Sequence, residues 1–284
     1  MSKAPKGATL PTHVADRYVQ PLREGGSLPA VVDTGDGGLF VVKFRGAGQG
    51  PRALIAELVV GLLALEVGLP VPELAVVELP EGFGADEPDP EIRELLERSP
   101  GTNVGLRYLD GAFNFDVSAA GELVDAAFAA RVVWLDALAT NPDRTARNPN
   151  LLVWERRPWL IDHGSALYVH HAWRNADRER ARAPFPMIAD HVLLPRAGDL
   201  EATDAELGPL LDEERLAGVL EAVPDALLMD PLARGEFGSA AEARERYVDH
   251  LAERLRGPRA WVDGAEEARR KRRAEKPRRL ARRR

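Results

Sequence analysis

Apolar and polar positions alternate with a period of two through the first part of the chain, then change to a helical spacing. Tyr18 to Leu22 and Pro29 to Val32 read as short strands joined by Arg23-Glu24-Gly25-Gly26-Ser27, and Leu39 to Phe44 reads as a third strand from its β-branched and aromatic content. Pro51 suits the first turn of a helix that runs to about Val67 and stops at Gly68, with Pro70 behind it. That helix is apolar nearly all round from Ala53 to Leu65, which predicts that it is buried on every side. Pro72 to Leu79 gives another strand. Glu81 to Gly101, rich in proline, glycine and acids with one helical patch near Glu91 to Arg98, reads as a solvated insertion. Asn103 to Leu109 reads as the last strand of this half, leading out through Asp110-Gly111.

The second half is mainly helical in pattern. A helix from about Gly121 to Ala139 carries Leu123, Phe128, Val132, Val133, Leu135 and Leu138 and is closed by Asn141-Pro142. Two short apolar strands, Leu151 to Trp154 and Trp159 to Ile161, flank Glu155-Arg156-Arg157-Pro158 and predict a hairpin. The proline-bounded segment from Pro184 to Pro195 is expected to pack against the body. Helices follow at about Asp204 to Leu211, Glu213 to Ala222 and Ala240 to Leu255, separated by Pro224 and by Pro231 to Gly238. Strands first and helices afterwards define an α+β chain, with a β-rich N-terminal lobe over 1–109, a helical lobe over 110–266 and a tail over 267–284.

At 284 residues the chain can bury a substantial core, and 45% apolar with 29% charged residues is the composition of a globular protein. It has no cysteine, which excludes disulfides, thiolate metal sites and cysteine nucleophiles together. The N-terminal residues lack the apolar core of a signal peptide, and the longest apolar run, Leu58 to Leu65, is too short to span a bilayer, so a cytoplasmic protein is expected with no membrane partner. The net charge of −7 conceals an asymmetry: residues 269–284 hold eleven Lys or Arg and one acid, a local charge of +10, so residues 1–268 carry −17. Clustered arginine can meet nucleic acid, but without interleaved aromatic residues an unstructured tail is the expectation for 267–284.

Several polar residues stand where the apolar pattern leaves no room for them. Lys43 falls on the same face as Leu39 and Val41, and a lysine inside an apolar strand needs an anion beside it. It can be an edge lysine that discourages aggregation, or a cation aimed at the phosphates of ATP. Glu57 is the one charge in the middle of the apolar helix, and Lys43 is its obvious partner. Asp143 is followed five residues later by Asn148, and the hairpin returns the chain to Asp162-His163-Gly164. An acid, an amide at the fifth position and a second acid after a hairpin can hold Mg2+ and orient a hydroxyl for phosphoryl transfer: Asp143 as base or orienting group, Asn148 and Asp162 as metal ligands. Gly25-Gly26-Ser27 reads both as an ordinary hairpin turn and as a loop whose amides face an anion. The backbone of Arg107, Tyr108 and Leu109 is placed to meet the adenine. His170 and His171, being adjacent, face different ways and are set aside as metal ligands, while His163 is expected to hydrogen-bond within the loop.

The order Gly25-Gly26-Ser27, Lys43, Glu57, Asp143 to Asn148 and Asp162-His163-Gly164 resembles that of the HipA-like kinases, an atypical branch of the protein-kinase and lipid-kinase superfamily, over roughly residues 15–260. The resemblance implies a two-lobed kinase fold, ATP and magnesium as cofactors, and serine or threonine of a protein as the acceptor hydroxyl. Three departures bear on this: Pro142 stands where common protein kinases carry an arginine before the catalytic acid, His163 replaces the phenylalanine of Asp-Phe-Gly, and no Ala-Pro-Glu follows. Arg144 directly after Asp143 is closer to the lipid-kinase style. Two alternatives stay open, a small-molecule hydroxyl as acceptor and a nucleotide-binding pseudokinase acting as a regulatory or toxin-antitoxin interaction module.

Overall fold

The computed structural model describes residues 9–22, 28–117, 123–231 and 236–274. Its first lobe is a six-stranded sheet built from β1 (Thr12–Val14), β2 (Arg17–Pro21), β3 (Ala30–Asp33), β4 (Leu39–Lys43), β5 (Leu74–Leu79) and β6 (Gly101–Arg107), in the order β1-β5-β6-β4-β3-β2. Every pairing is antiparallel except the edge, where β1 runs parallel to β5. Helix α1 (Gly50–Glu66), with Pro51 in its first turn, is buried at nearly every position from Leu54 to Ala64, as its all-round apolar character requires. It packs with Leu74, Val104 and Leu106 of the sheet into a core that continues into the second lobe.

The insertion after β5 departs from expectation. Helix α2 (Pro90–Glu97), capped by Asp89, buries Ile92, Leu95 and Leu96 against Ala30, Val32, Phe40, Val42, Phe44, Ala75 and Val77. The acids of this segment face water, yet its three apolar residues lie at helical spacing on one side and close the outer face of the sheet. The outer face of the sheet is therefore covered, and β4 buries Phe40 and Val42 in that layer, while on its inner face Leu39 is exposed and Val41 half-buried beside Lys43.

The second lobe is entered through β7 (Phe113–Asn114), which adds to the hairpin β8 (Leu151–Trp154) and β9 (Arg157–Leu160). Helix α3 (Ala126–Leu138) runs through the core, and its last carbonyls are met by a buried arginine: Arg254 donates to Leu138 O at 2.7 Å and to Ala137 O at 2.8 Å. A cation at a helix C-terminus is favoured by the orphan carbonyls there. Around α3 stand α4 (Arg178–Arg182), α5 (Leu200–Leu207), α6 (Glu213–Glu221), α7 (Asp225–Leu228), α8 (Ala240–Leu255) and α9 (Ala260–Ala274). The segment after Gly164 is fastened to α8 by aromatic contacts, with Trp173 edge-on to Tyr247 at 4.8 Å and His170 Nδ1 3.0 Å from the Tyr247 hydroxyl. The proline-bounded segment does pack, with Leu193 and Leu194 fully buried.

Helix α9 corrects the reading of the tail. Residues 267–274 continue the helix because Glu266, almost fully buried, accepts from Arg269 at 2.6 and 2.7 Å, from Arg270 at 2.8 Å and from the Leu200 amide at 3.2 Å, while Trp261, Val262 and Ala265 sit in the core. The rest of the expected tail, 275–284, lies outside the described residues. Among those residues no helix is long and apolar enough to cross a membrane.

Burial pushes the His170 imidazole well below its ordinary value, with His171, Arg52 and His250 adding to the effect. The unfolded chain therefore binds a proton that the folded one refuses, and stability is lost as pH falls below about 6.5. Urea unfolding is expected to show lower stability at pH 5 than at pH 7, with this residue contributing to the loss. The His170→Phe variant should show a correspondingly shallower dependence.

Candidate functional site

Lys43 ends β4 directly opposite Val104 and reaches from the inner face of the sheet towards α1. Its Nζ lies 2.6 Å from Glu57 Oε2 and 2.5 Å from Asp162 Oδ1. Burial alone would lower the Lys43 ammonium, but the Glu57 and Asp162 carboxylates outweigh it and hold it above its ordinary value. Glu57 is fully buried, and the same Oε2 accepts the His163 amide at 2.7 Å. One carboxylate thus fixes both the lysine and the backbone just after Asp162. The Asp162 side chain is 41% exposed and turned to the cleft. Burial works to raise its carboxyl and the Lys43 cation more than reverses that, leaving it below the usual range.

Asp162 has φ +57, a left-handed conformation that costs a non-glycine residue about 1–3 kcal/mol. Two bonds hold it there, the Ile161 amide to Asn150 O at 3.1 Å before it and the His163 amide to Glu57 after it. The strain aims the carboxylate at Lys43.

Asp143 follows the loop that leaves α3. Asn141 Oδ1 accepts its amide at 3.1 Å, and its Oδ2 accepts from Asn148 Nδ2 at 2.8 Å and Asn150 Nδ2 at 3.2 Å. Asn148 therefore sits five residues on with its amide nitrogen on Asp143, which leaves its Oδ1 for another partner. Asn150, not singled out from the sequence, also donates to Asp162 O at 3.4 Å, so it joins the two acids. Its φ of +48 suits asparagine better than most side chains, and the repeated amide in Asn148-Pro149-Asn150 is the signal that could have found it.

Beneath the loop lies a fully buried ionic cluster. Arg144 Nε donates to Asp136 Oδ2 at 2.6 Å, Asn141 Nδ2 to Asp136 Oδ1 at 3.0 Å and His191 Nε2 to Asp136 Oδ2 at 2.9 Å. His191 Nδ1 accepts the Leu193 amide at 3.0 Å, which assigns the proton to Nε2. Arg144 also faces His163 Nδ1 at 3.2 Å, and burial pushes that imidazole down to about 4, so it is neutral. His163 does hydrogen-bond within the loop as expected. Asp136 was legible by the reasoning that found Glu57, being the one acid in Val132-Val133-Trp134-Leu135-Asp136-Ala137-Leu138.

The remaining expected residues divide. The Arg107 guanidinium lies 4.2 Å over the Phe40 ring and donates to Glu73 and to Gly37 O, and its amide donates to Glu73 O at 2.8 Å, so both its side chain and its backbone donor are engaged at the sheet. The Tyr108 amide donates to Leu39 O at 2.9 Å, and Leu109 is buried. Gly25, Gly26 and Ser27 lie outside the described residues.

For a divalent cation the oxygens available are the second carboxylate oxygen of Asp162 and Asn148 Oδ1. No group of three or more His, Asp or Glu able to hold a metal ion occurs among the described residues. A sparse oxygen set fits Mg2+, which keeps its water and phosphate ligands and takes one or two from protein.

A family model described as HipA-like kinase matches residues 16–179, and the chain belongs to that family. Its fold is kinase-like: the crystal structure of the Helicobacter pylori proinflammatory kinase CtkA superposes with a TM-score of 0.52 at 14% identity, covering 86% of this chain and 94% of that one. No curated protein matches the chain.

Removing one partner of a buried ion pair leaves the other charge uncompensated, which costs about 3–5 kcal/mol. Glu57→Ala should lower the urea midpoint by that equivalent, and Glu57→Gln by less, since an amide oxygen can still accept the His163 amide. An unchanged midpoint for Glu57→Ala would contradict the pairing.

Proposed function

We propose that the chain is an ATP- and magnesium-dependent phosphotransferase that moves the γ-phosphoryl group to a hydroxyl, with serine or threonine of a protein as the acceptor. The observation that carries this reading is the single Lys43 ammonium shared by Glu57 and Asp162, with Asp143 and Asn148 bonded to each other on the neighbouring loop. Family membership supports phosphoryl transfer, and the protein acceptor rests on that membership.

In this reading Lys43 contacts the phosphates of ATP and Glu57 keeps it aimed. The backbone of Arg107, Tyr108 and Leu109 receives the adenine, and Gly25, Gly26 and Ser27 cover the phosphates. Asp162 and Asn148 would hold Mg2+, which when bound would neutralise charge on the phosphate oxygens. Asp143 accepts a hydrogen bond from the acceptor hydroxyl and lines its oxygen up with the γ-phosphorus, taking the proton as the new O–P bond forms and ADP leaves. Two amide donors on Asp143 Oδ2 fix its rotamer and leave Oδ1 for that hydroxyl. Transfer then depends on positioning and charge neutralisation, with no covalent enzyme intermediate.

The test is transfer from radiolabelled ATP, with magnesium, to casein and to the protein itself, read beside nucleotide binding. Asp143→Asn is expected to lose at least about a hundredfold in transfer with nucleotide affinity held within about threefold. Asp162→Asn should lose magnesium-dependent nucleotide binding as well. Transfer to a small alcohol but to neither protein would move the acceptor to the small-molecule class, and binding without any transfer would replace the enzyme with a nucleotide-binding module.

A further inference from the structure

Arg144 is 1% exposed and its counter-ion Asp136 is fully buried. A buried ion pair is a poor source of stability, because desolvation of both charges offsets most of their attraction and an apolar substitute often does as well. What distinguishes this one is where its donors go. Nε donates to Asp136 on the last turns of α3, one terminal nitrogen donates to Asn150 O and lies 3.5 Å from Ile161 O, and the other faces His163 Nδ1 at 3.2 Å. The Arg144 carbonyl accepts the Val192 amide at 3.0 Å. One planar group therefore contacts the helix before the loop, the residue that opens the hairpin, the residue before Asp162 and the residue after it, while its own backbone follows Asp143.

We infer that Arg144 is a positioning residue for phosphoryl transfer: it sets the separation of Asp143 from Asp162 by fastening both ends of the β8–β9 hairpin to the backbone that carries Asp143. This deepens the phosphotransferase reading and rests on it. Asp136 orients the guanidinium, being itself held on both oxygens by Asn141, Arg144 and His191. Asn150 completes the seam from above, with its side chain on Asp143 and on Asp162 O and its carbonyl under Arg144. A lysine cannot substitute, because a point charge on a flexible stem lacks the fork that meets four places at once. Arg144 acts through the loops it joins, and the reacting groups of the proposed transfer are Asp143 and the residues around Lys43.

Arg144→Lys keeps a positive charge for Asp136 and removes the fork. Its expected signature is a loss of about a hundredfold in kcat, the order produced by a displacement near 1 Å, with ATP affinity changed less than about fivefold. Hydrogen exchange should rise in the peptides spanning 143–163 and stay unchanged in α8 and α9. Asp204→Ala serves as the stability control: it removes the acceptor of Trp134 Nε1 and Arg259 in the second lobe, away from the cleft, and should lower Tm while keeping kcat. If Arg144→Lys behaves like that control, with a lower Tm, kcat kept and exchange raised everywhere or nowhere, Arg144 is structural and the inference falls. Should Arg144→Lys fail to fold, Asp136→Asn, which keeps an acceptor for Nε, carries the test with a smaller loss in the same direction and the same local exchange pattern. Absence of transfer in the native protein would sink the phosphotransferase reading and the catalytic half of this inference, while the exchange pattern would separately decide whether Arg144 fastens the hairpin.

Discussion

One ammonium group, Lys43 Nζ, has a carboxylate from each lobe within 2.6 Å, Glu57 from the helix against the sheet and Asp162 from the turn after the hairpin. A lysine this buried costs free energy unless it is paired, and here the pairing is the connection between the two halves of the site. For that ammonium to stay put, β4 must be anchored, which Phe40 and Val42 do in the layer shared with α2, and α1 must be fixed in the core, which its all-round apolar surface ensures. The backbone strain at Asp162 makes sense in the same terms. Its left-handed conformation persists because Glu57 holds the next amide and Lys43 the side chain.

The acids of the site are arranged in two layers with different duties. Asp162 and Asp143 carry partly solvated carboxylates towards the cleft, whereas Glu57 and Asp136 are fully enclosed, Asp136 bonded to protein donors through both oxygens and Glu57 through Oε2 alone. Glu57 holds Lys43 and the turn after Asp162; Asp136 holds Arg144 and the loop around Asp143. His163 links the two enclosed acids, its amide on Glu57 and its ring on the Arg144 that Asp136 holds, and its neutral imidazole avoids placing a second cation beside the guanidinium. Where a phenylalanine would offer only bulk, this histidine offers an acceptor.

How much of this the chain discloses in advance depends on the kind of signal. Lys43 and Glu57 were legible because a charge inside an apolar strand or helix has few ways to be satisfied, and the structure joins the two of them. The hairpin was legible from its apolar runs, and with it the return of Asp162 towards the Asp143 loop. The outer cover of the sheet was not, because the acids and prolines of 81–101 swamp three apolar residues whose partners lie on distant strands. Nor was the helical course of 267–274, where the arginines that suggest a solvated tail are neutralised by Glu266 upstream. Arg144 was noticed for its place in the motif, but that it contacts both ends of the hairpin follows only from the fold. The edge strand β1 is three residues long and pairs parallel with β5, which no local pattern announces.

In the phosphotransferase reading proposed above, the cleft between the lobes is assembled around Lys43 to take the phosphates of a nucleotide together with a cation. Calorimetric titration of the native protein with a non-hydrolysable ATP analogue, with and without magnesium, addresses that most directly. The expected result is one site per chain that binds more tightly when magnesium is present. No binding, or binding indifferent to magnesium, would contradict it.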